Sequence, residues 1–297
     1  MKVRVIANRG GGAFIRDGKL GERLDAALAA AGVDAEVRLV ASEEIAGAFA
    51  DAAAASGLDA VVAAGGDGTV SCAAGHLAGT TRPLGLLPLG TLNHLARDAG
   101  IPTDLDSAAA VIAAGDARPI DVAEVNGRTF VNNSGVGLYP DIVRFREAEQ
   151  ERGRSKRSAM LFASLRALRS FRRRRLWISA PGVETPLRTP LLFVGNNRYR
   201  ASLFALGHRE ALDGGELSLH AMRARSRAHL FWAGVRGLIG RLDQQRDFVT
   251  IYADRATISS DRPRLTISAD GESFTMETPL EYRLRPKALR LLVPAAE

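Results

Sequence analysis

The chain has 297 residues, 46% hydrophobic and 25% charged, which is enough for two globular domains with a sizeable core. A single cysteine, Cys72, excludes an intramolecular disulfide, and no window approaches about 18 consecutive apolar residues, which excludes a spanning helix. The net charge of +7 points to an acidic partner: anionic lipid, nucleic acid or nucleotide.

The N-terminal Met-Lys-Val-Arg-Val-Ile-Ala-Asn lacks a long apolar run, so no signal peptide is expected. Lys2 to Ala7 reads as a first strand, broken by the glycine loop Asn8-Arg9-Gly10-Gly11-Gly12. Leu20, Leu24, Leu28 and Ala31 recur at helical spacing until Gly32. A strand at Ala35 to Val40 follows, then a helix for which Ser42 reads as the N-cap. Ala60 to Gly65 reads as a buried strand running into Gly65-Gly66-Asp67-Gly68-Thr69, with a helix from about Thr69. A strand at Leu84 to Leu87, a helix from about Thr91 and a short helix at Leu105 to Ala114 complete this half. The alternation predicts a parallel sheet with helices on both faces, with ligands at the carboxyl ends of its strands.

The pattern changes near Asp121. Asp121 to Val125 and Arg128 to Val131 flank Asn126-Gly127, a strong hairpin signal, and strands then predominate at 176–179, 191–195, 216–221, 247–253, 264–269 and 282–285. We therefore expect an α/β domain over 1–121 and a mainly antiparallel β domain over 122–285, with 286–297 returning to the first. Two basic helical insertions interrupt the β domain. Residues 152–175 hold ten Arg or Lys and no acid, with Leu161, Phe162, Leu165, Leu168 and Phe171 as an apolar stripe. Residues 225–246 place Leu230, Phe231, Trp232, Val235, Leu238 and Ile239 among arginines. Each suits either an anionic membrane surface or a solvated basic face over a core-packed stripe.

Glycines at a strand-to-helix junction let backbone N–H groups approach phosphate, and the helix adds its positive end. An aspartate within such a loop repels phosphate unless it holds a metal or handles a proton; the other reading of Asp67 is a helix cap. Pro88-Leu89-Gly90-Thr91-Leu92-Asn93-His94-Leu95-Ala96-Arg97 forms a second such loop one strand-helix unit later. Late in the chain, Asp270-Gly271-Glu272 reads either as a hairpin turn or as the site of a proton acceptor.

With these blocks in order, the chain resembles the diacylglycerol kinase catalytic family in its bacterial lipid-kinase branch, with sphingosine and ceramide kinases as relatives. The resemblance implies an α/β domain like that of NAD kinases and phosphofructokinases, a C-terminal β-sandwich, an active site between the two, and transfer of the ATP γ-phosphate to a diacylglycerol-like hydroxyl with Mg²⁺. By position, Asn8, Gly65, Gly66, Gly68, Thr69, Gly90, Thr91, Asn93 and Glu272 match nucleotide-site positions. Asp270 matches the catalytic aspartate, Asp67 a catalytic and metal-organising acid, and Asp121 an acid of the Mg–water network. The implied partners are a lipid substrate and an anionic membrane surface, with no nucleic acid and with a homodimer admissible. The implied location is cytoplasmic and peripheral to the membrane. Three positions depart from the pattern. His94 replaces a common aspartate, and Asn8 lacks the usual following proline. Gly214 in Leu212-Asp213-Gly214-Gly215-Glu216 stands where an acid is common, so no second metal site is assigned. The alternatives are a kinase of a soluble substrate such as NAD, and a non-catalytic binder of anionic membranes.

Overall fold

The structure is a computed structural model and describes residues 1–151, 162, 166, 169, 171–199, 209–238 and 244–295. Its chain divides into two compact units, Met1–Val122 with Arg285–Glu297, and Ala123–Leu284.

In the first unit, β1 (Lys2–Asn8), β2 (Asp34–Val40), β3 (Ala60–Gly65) and β4 (Leu84–Pro88) form a parallel sheet in the order β2-β1-β3-β4. Every residue of β3 and β4 is buried, as expected of central parallel strands covered on both faces. Small residues in β3 leave room for close helices. Helices α2 (Leu20–Ala30) and α6 (Leu105–Ala114) pack together, as do α3 (Ile45–Ala54) and α4 (Asp67–Leu77). A short α1 (Gly12–Arg16) and α5 (His94–Asp98) follow the ends of β1 and β4. The strand β5 (Ala117–Val125) leads out of this unit, and the end of β16 (Leu280–Leu292) returns to it, with Leu291 beside Leu84 in parallel. The sequence suggested a strand at 282–285 and a separate segment returning at 286–297. They are one, turned at Lys287, whose φ is +52°.

The second unit is an antiparallel sandwich. One sheet runs β12 (Phe248–Ala253), β11 (Leu217–Met222), β10 (Leu191–Asn196), β7 (Asn133–Gly137), β14 (Arg264–Ala269), β15 (Glu272–Glu277). The other pairs β9 (Val183–Thr189) with β8 (Arg174–Ala180), β8 with β13 (Arg255–Ser260), and β13 with the start of β16. Val136, Leu192, Val194, Leu219 and Ile267 from the first sheet share one core with Ile178, Ile258, Leu280 and Tyr282 from the second. Asn126-Gly127 makes the expected two-residue hairpin between β5 and β6 (Arg128–Phe130), both residues at positive φ. Strands β7, β9 and β13, and the helix α7 (Leu138–Glu151), had not been anticipated. In the basic insertions, Leu161, Leu165, Leu168 and Ile239 lie outside the described residues.

Among the described residues, the sandwich buries one histidine. His220 on β11 is enclosed by Phe193, Phe248 and Tyr252, with ring centroids 6.0–6.3 Å away, and its Nδ1 lies 3.0 Å from Thr250 Oγ1. Burial pushes its imidazole down to about 4, against a smaller raising effect from a hydrogen bond with the Tyr199 backbone. The neutral ring is therefore the native form. The unfolded chain binds that proton near pH 6.5, so this contribution is complete above 6.5 and is lost as pH falls toward 4. Urea unfolding should show about 2 kcal/mol less stability at pH 5 than at pH 7 from this residue. His220→Leu should flatten that difference whatever it does to absolute stability; an unchanged pH slope in the variant would rule out the assignment.

Candidate active site

The carboxyl ends of β1, β3 and β4 carry the glycine loops. Asn8 closes β1 in register with Val40 of β2. Its Oδ1 accepts the Gly10 N–H at 3.0 Å and the Ser42 hydroxyl at 3.0 Å, and the Arg9 N–H donates to the Val40 carbonyl. Ser42 is thus not the N-cap of α3. The nearby Asn8 oxygen takes its hydroxyl, and α3 starts at Ile45 with Glu44 in the cap position. Gly10 is required by this tie, since a Cβ there would lie 2.7 Å from Ser42 Oγ.

The next two loops are pressed together. Gly66 is the cap of α4, which begins at Asp67, two residues before the expected start. A Cβ on Gly90 would lie 2.6 Å from Gly66 Cα and 2.5 Å from Asn93 Oδ1, so only glycine allows this approach. The Leu89 N–H donates to the Gly65 carbonyl at 2.9 Å. Asp67 completes the clamp: its Oδ2 accepts the Asn93 N–H at 3.1 Å and its Oδ1 the His94 N–H at 2.7 Å. Asn93 takes a left-handed conformation, φ +49° and ψ +51°. Its Oδ1 accepts the Gly90 N–H at 2.9 Å and its Nδ2 donates to the Gly90 carbonyl at 3.1 Å. This turn is why α5 starts at His94 and not at Thr91. Thr69 is buried in the first turn of α4 against Gly65, where a Cβ would collide with it, while Gly68 and Thr91 are exposed.

Asp67 therefore caps, as one sequence reading had it, but it caps α5 and not its own helix. Mg²⁺ prefers one or two carboxylates plus phosphate oxygens and water. A carboxylate has about four acceptor sites, and the N–H groups of Asn93 and His94 use two, so half-buried Asp67 fits a cation shared with phosphate. The described residues contain no cluster of three or more His, Cys, Asp or Glu, so they do not form an all-protein cage. Asp121 is 1% exposed, and its Oδ1 accepts the Lys287 N–H at 2.7 Å, tying β5 to the returning strand.

In the second unit, Asp270 and Gly271 form the two-residue loop between β14 and β15, at φ +46° and +85°. The hairpin reading and the chemical one describe the same residue. Asp270 is only 9% exposed. Its Oδ2 accepts the Val131 N–H at 2.7 Å, and its Oδ1 accepts those of Asn132 at 2.8 Å and Asn133 at 3.1 Å. Three donors converging on one group match an ionised carboxylate, which can only accept. Glu272 lies on the outer side of the hairpin in an exposed ion pair with Arg128. Sequence reasoning missed Val131–Asn133; two buried asparagines within an apolar stretch were the available signal.

The structure thus joins Gly65–Thr69 to Gly90–Asn93 and sets Asn8 on the neighbouring strand end. Asp270 and Glu272 belong to the other unit.

A family model for the diacylglycerol kinase catalytic domain matches residues 2–125, and one for the YegS C-terminal NAD kinase beta sandwich-like domain matches residues 141–293. A "Probable lipid kinase YegS-like" protein of Cronobacter sakazakii is 44% identical over 108 residues, 35% of this chain and 36% of its own. One of Citrobacter koseri with the same description is 40% identical over 112 residues, 36% of this chain and 38% of its own. The chain spans a little over a third of the length of these curated relatives. The crystal structure of a diacylglycerol kinase from Bacillus anthracis str. Sterne superimposes with a TM-score of 0.70 at 21% identity, over 99% of this chain and 97% of that one.

Asp67→Ala removes the acceptor for two N–H groups. Unfolding free energy should drop by about 1–2 kcal/mol, and amide exchange at Asn93 and His94 should quicken. Unaltered exchange at both would mean that the carboxylate does not hold the loops.

Proposed function

The chain belongs to the diacylglycerol kinase catalytic-domain family, and on that premise we propose that it is a lipid kinase, transferring the γ-phosphoryl group of ATP to a diacylglycerol-like hydroxyl. The observation that carries this reading is the pair of glycine loops locked together by Asp67 at the ends of β3 and β4. Phosphoryl transfer depends mostly on positioning and charge neutralisation, and a rigid double loop at a helix N-terminus supplies both. In this reading Asn8, Gly65, Gly66, Gly68, Thr69, Gly90, Thr91 and Asn93 hold the nucleotide. Mg²⁺, bound through Asp67 and phosphate oxygens, would neutralise charge on the phosphates.

Asp270 handles the acceptor. As the hydroxyl oxygen bonds to the γ-phosphorus, the bond to the β,γ-bridging oxygen breaks and ADP leaves with its electron pair. The hydroxyl proton passes to the Asp270 carboxylate, which its three N–H donors hold in place.

A membrane-bound substrate calls for a membrane-facing surface, and one helix offers it. On Arg227–Leu238, Leu230 and Ala233 are buried against Met222 and Phe248. Phe231 and Trp232, edge-to-face at 5.7 Å, are 50% and 59% exposed. Arg223, Arg225 and Arg227, in and just before the first turn of this helix, are exposed, and Phe171, just before exposed Arg172 and Arg173, packs on the buried cluster of Met222, Leu230 and Phe248. The apolar stripe thus divides into a core-packed part and an exposed aromatic pair among arginines, the pattern of an interfacial helix on anionic lipid.

A lipid panel with labelled ATP, extracted into organic solvent, tests the activity. Label should enter the organic phase, and Asp270→Asn should stay folded while losing about 10²–10⁴-fold in turnover. Label confined to a soluble acceptor such as NAD would favour a soluble-substrate kinase. No transfer at all, with flotation on phosphatidylserine vesicles intact, would favour a non-catalytic membrane binder. Flotation should weaken when Phe231 and Trp232 are both changed to Ala; equal flotation would remove this helix from membrane contact.

A further inference from the structure

We propose that Arg209 is a positioning residue for Asp270, acting through a single peptide group. Its catalytic consequence rests on the lipid-kinase reading; the contact itself does not. Arg209 is 8% exposed, and its backbone is fixed by a bridge to Tyr199. Its guanidinium donates from Nη1 to the Val131 carbonyl and from Nη2 to Asn132 Oδ1 at 3.2 Å, and lies 5.7 Å from the Tyr199 ring centroid.

The Val131 carbonyl and the Asn132 N–H belong to one planar peptide unit. The guanidinium sits at its oxygen, and the Asp270 carboxylate sits at its N–H, 2.8 Å away. A cation on the carbonyl polarises the peptide and strengthens the N–H as a donor, so the two hydrogen bonds reinforce each other. The charge of Arg209 therefore reaches Asp270 through the peptide group they share.

The rest of the strand segment is held from the same side. Asn196 Nδ2 donates to the Val131 carbonyl at 2.9 Å, the Asn196 N–H to the Asn132 carbonyl at 2.9 Å, and the Tyr199 hydroxyl to the Asn132 carbonyl at 3.3 Å. The segment 131–133 thus turns its N–H groups to Asp270 and its Val131 and Asn132 carbonyls to Arg209, Asn196 and Tyr199. Arg209 contributes the cationic member of that set, and a fork that grips both the backbone and the Asn132 side chain. Among the described residues, other charged groups on the neighbouring elements are Arg128 paired with Glu272, Glu124 on β5, Arg198 paired with Glu216, and Glu210.

The test compares wild type with Arg209→Met, Arg209→Lys and Tyr199→Phe. Carbon-13 NMR titration of the Asp270 carboxyl group should move about one pH unit upward in Arg209→Met, as expected on losing a nearby cation. The Asn132 amide proton should shift upfield. Arg209→Lys should recover part of both changes, and Tyr199→Phe, which removes a neutral bond to the same segment, should leave the titration in place. In turnover, the acid limb of kcat should follow the NMR shift while KM for ATP stays within about twofold. An Asp270 titration and an Asn132 amide that do not respond to Arg209→Met or, if that variant fails to fold, to Arg209→Lys would overturn the proposal. A shifted titration with Asp270→Asn fully active would instead uphold the contact and overturn Asp270 as the base.

Discussion

The first unit depends on one close approach: Gly66 and Gly90 meet at a separation that a single methyl group would abolish. Two loops that each present backbone N–H groups would drift apart as independent turns. Here the Asp67 carboxylate spans the gap to the first N–H groups of α5, and the Asn93 side chain knits its own loop to Gly90. The cost of the left-handed Asn93 is small, because asparagine tolerates that region, and the short α5 begins only where the clamp ends. Rigidity in the cradle comes from close backbone contact and from side chains bonded to backbone N–H groups.

The same device recurs at three of the acids singled out from the sequence. Asp67 accepts two N–H groups, Asp121 accepts one from the returning strand, and Asp270 accepts three. N–H donors orient a carboxylate without neutralising it, whereas an arginine ion pair would take both oxygens and the charge together. Glu272 shows the contrast: it is paired with Arg128 on the exposed side of its hairpin, where such a pair contributes little. Asp67, Asp121 and Asp270 each accept peptide N–H groups, and Glu272, paired with an arginine, lies at the surface.

What could be read from the sequence follows from how local each signal is. The parallel sheet was legible because β3 and β4 are continuous apolar runs followed by glycines. Strand β7 was not, because Asn133-Ser134-Gly135-Val136-Gly137 has a single strand former, Val136, and no alternation. Its glycines serve tertiary contacts: a Cβ on Gly135 would lie 2.9 Å from the Tyr139 ring. Strands β9 and β13 are largely polar on one face and carry little hydrophobic signal. At the site, residue types were visible but their partners were not. The bonds that hold Asp67 span 26 and 27 positions and those that hold Asp270 span 137 to 139, beyond any local pattern. Asp67 read as a phosphate-loop oddity because its two donors come from the next loop.

The turn that carries Asp270 also explains why that residue is an aspartate. A two-residue hairpin loop of this kind puts its first residue at positive φ, which asparagine and aspartate accept far more readily than glutamate. The short side chain then reaches back to the N–H groups of 131–133 from a backbone already bound to that strand, since the Asp270 N–H donates to the Asn133 carbonyl at 2.9 Å. Glutamate would meet the conformational penalty and overshoot the donors by a methylene; asparagine would keep the turn but offer one acceptor atom to three donors. Turn geometry and carboxylate chemistry thus select the same side chain, and each stabilises the other.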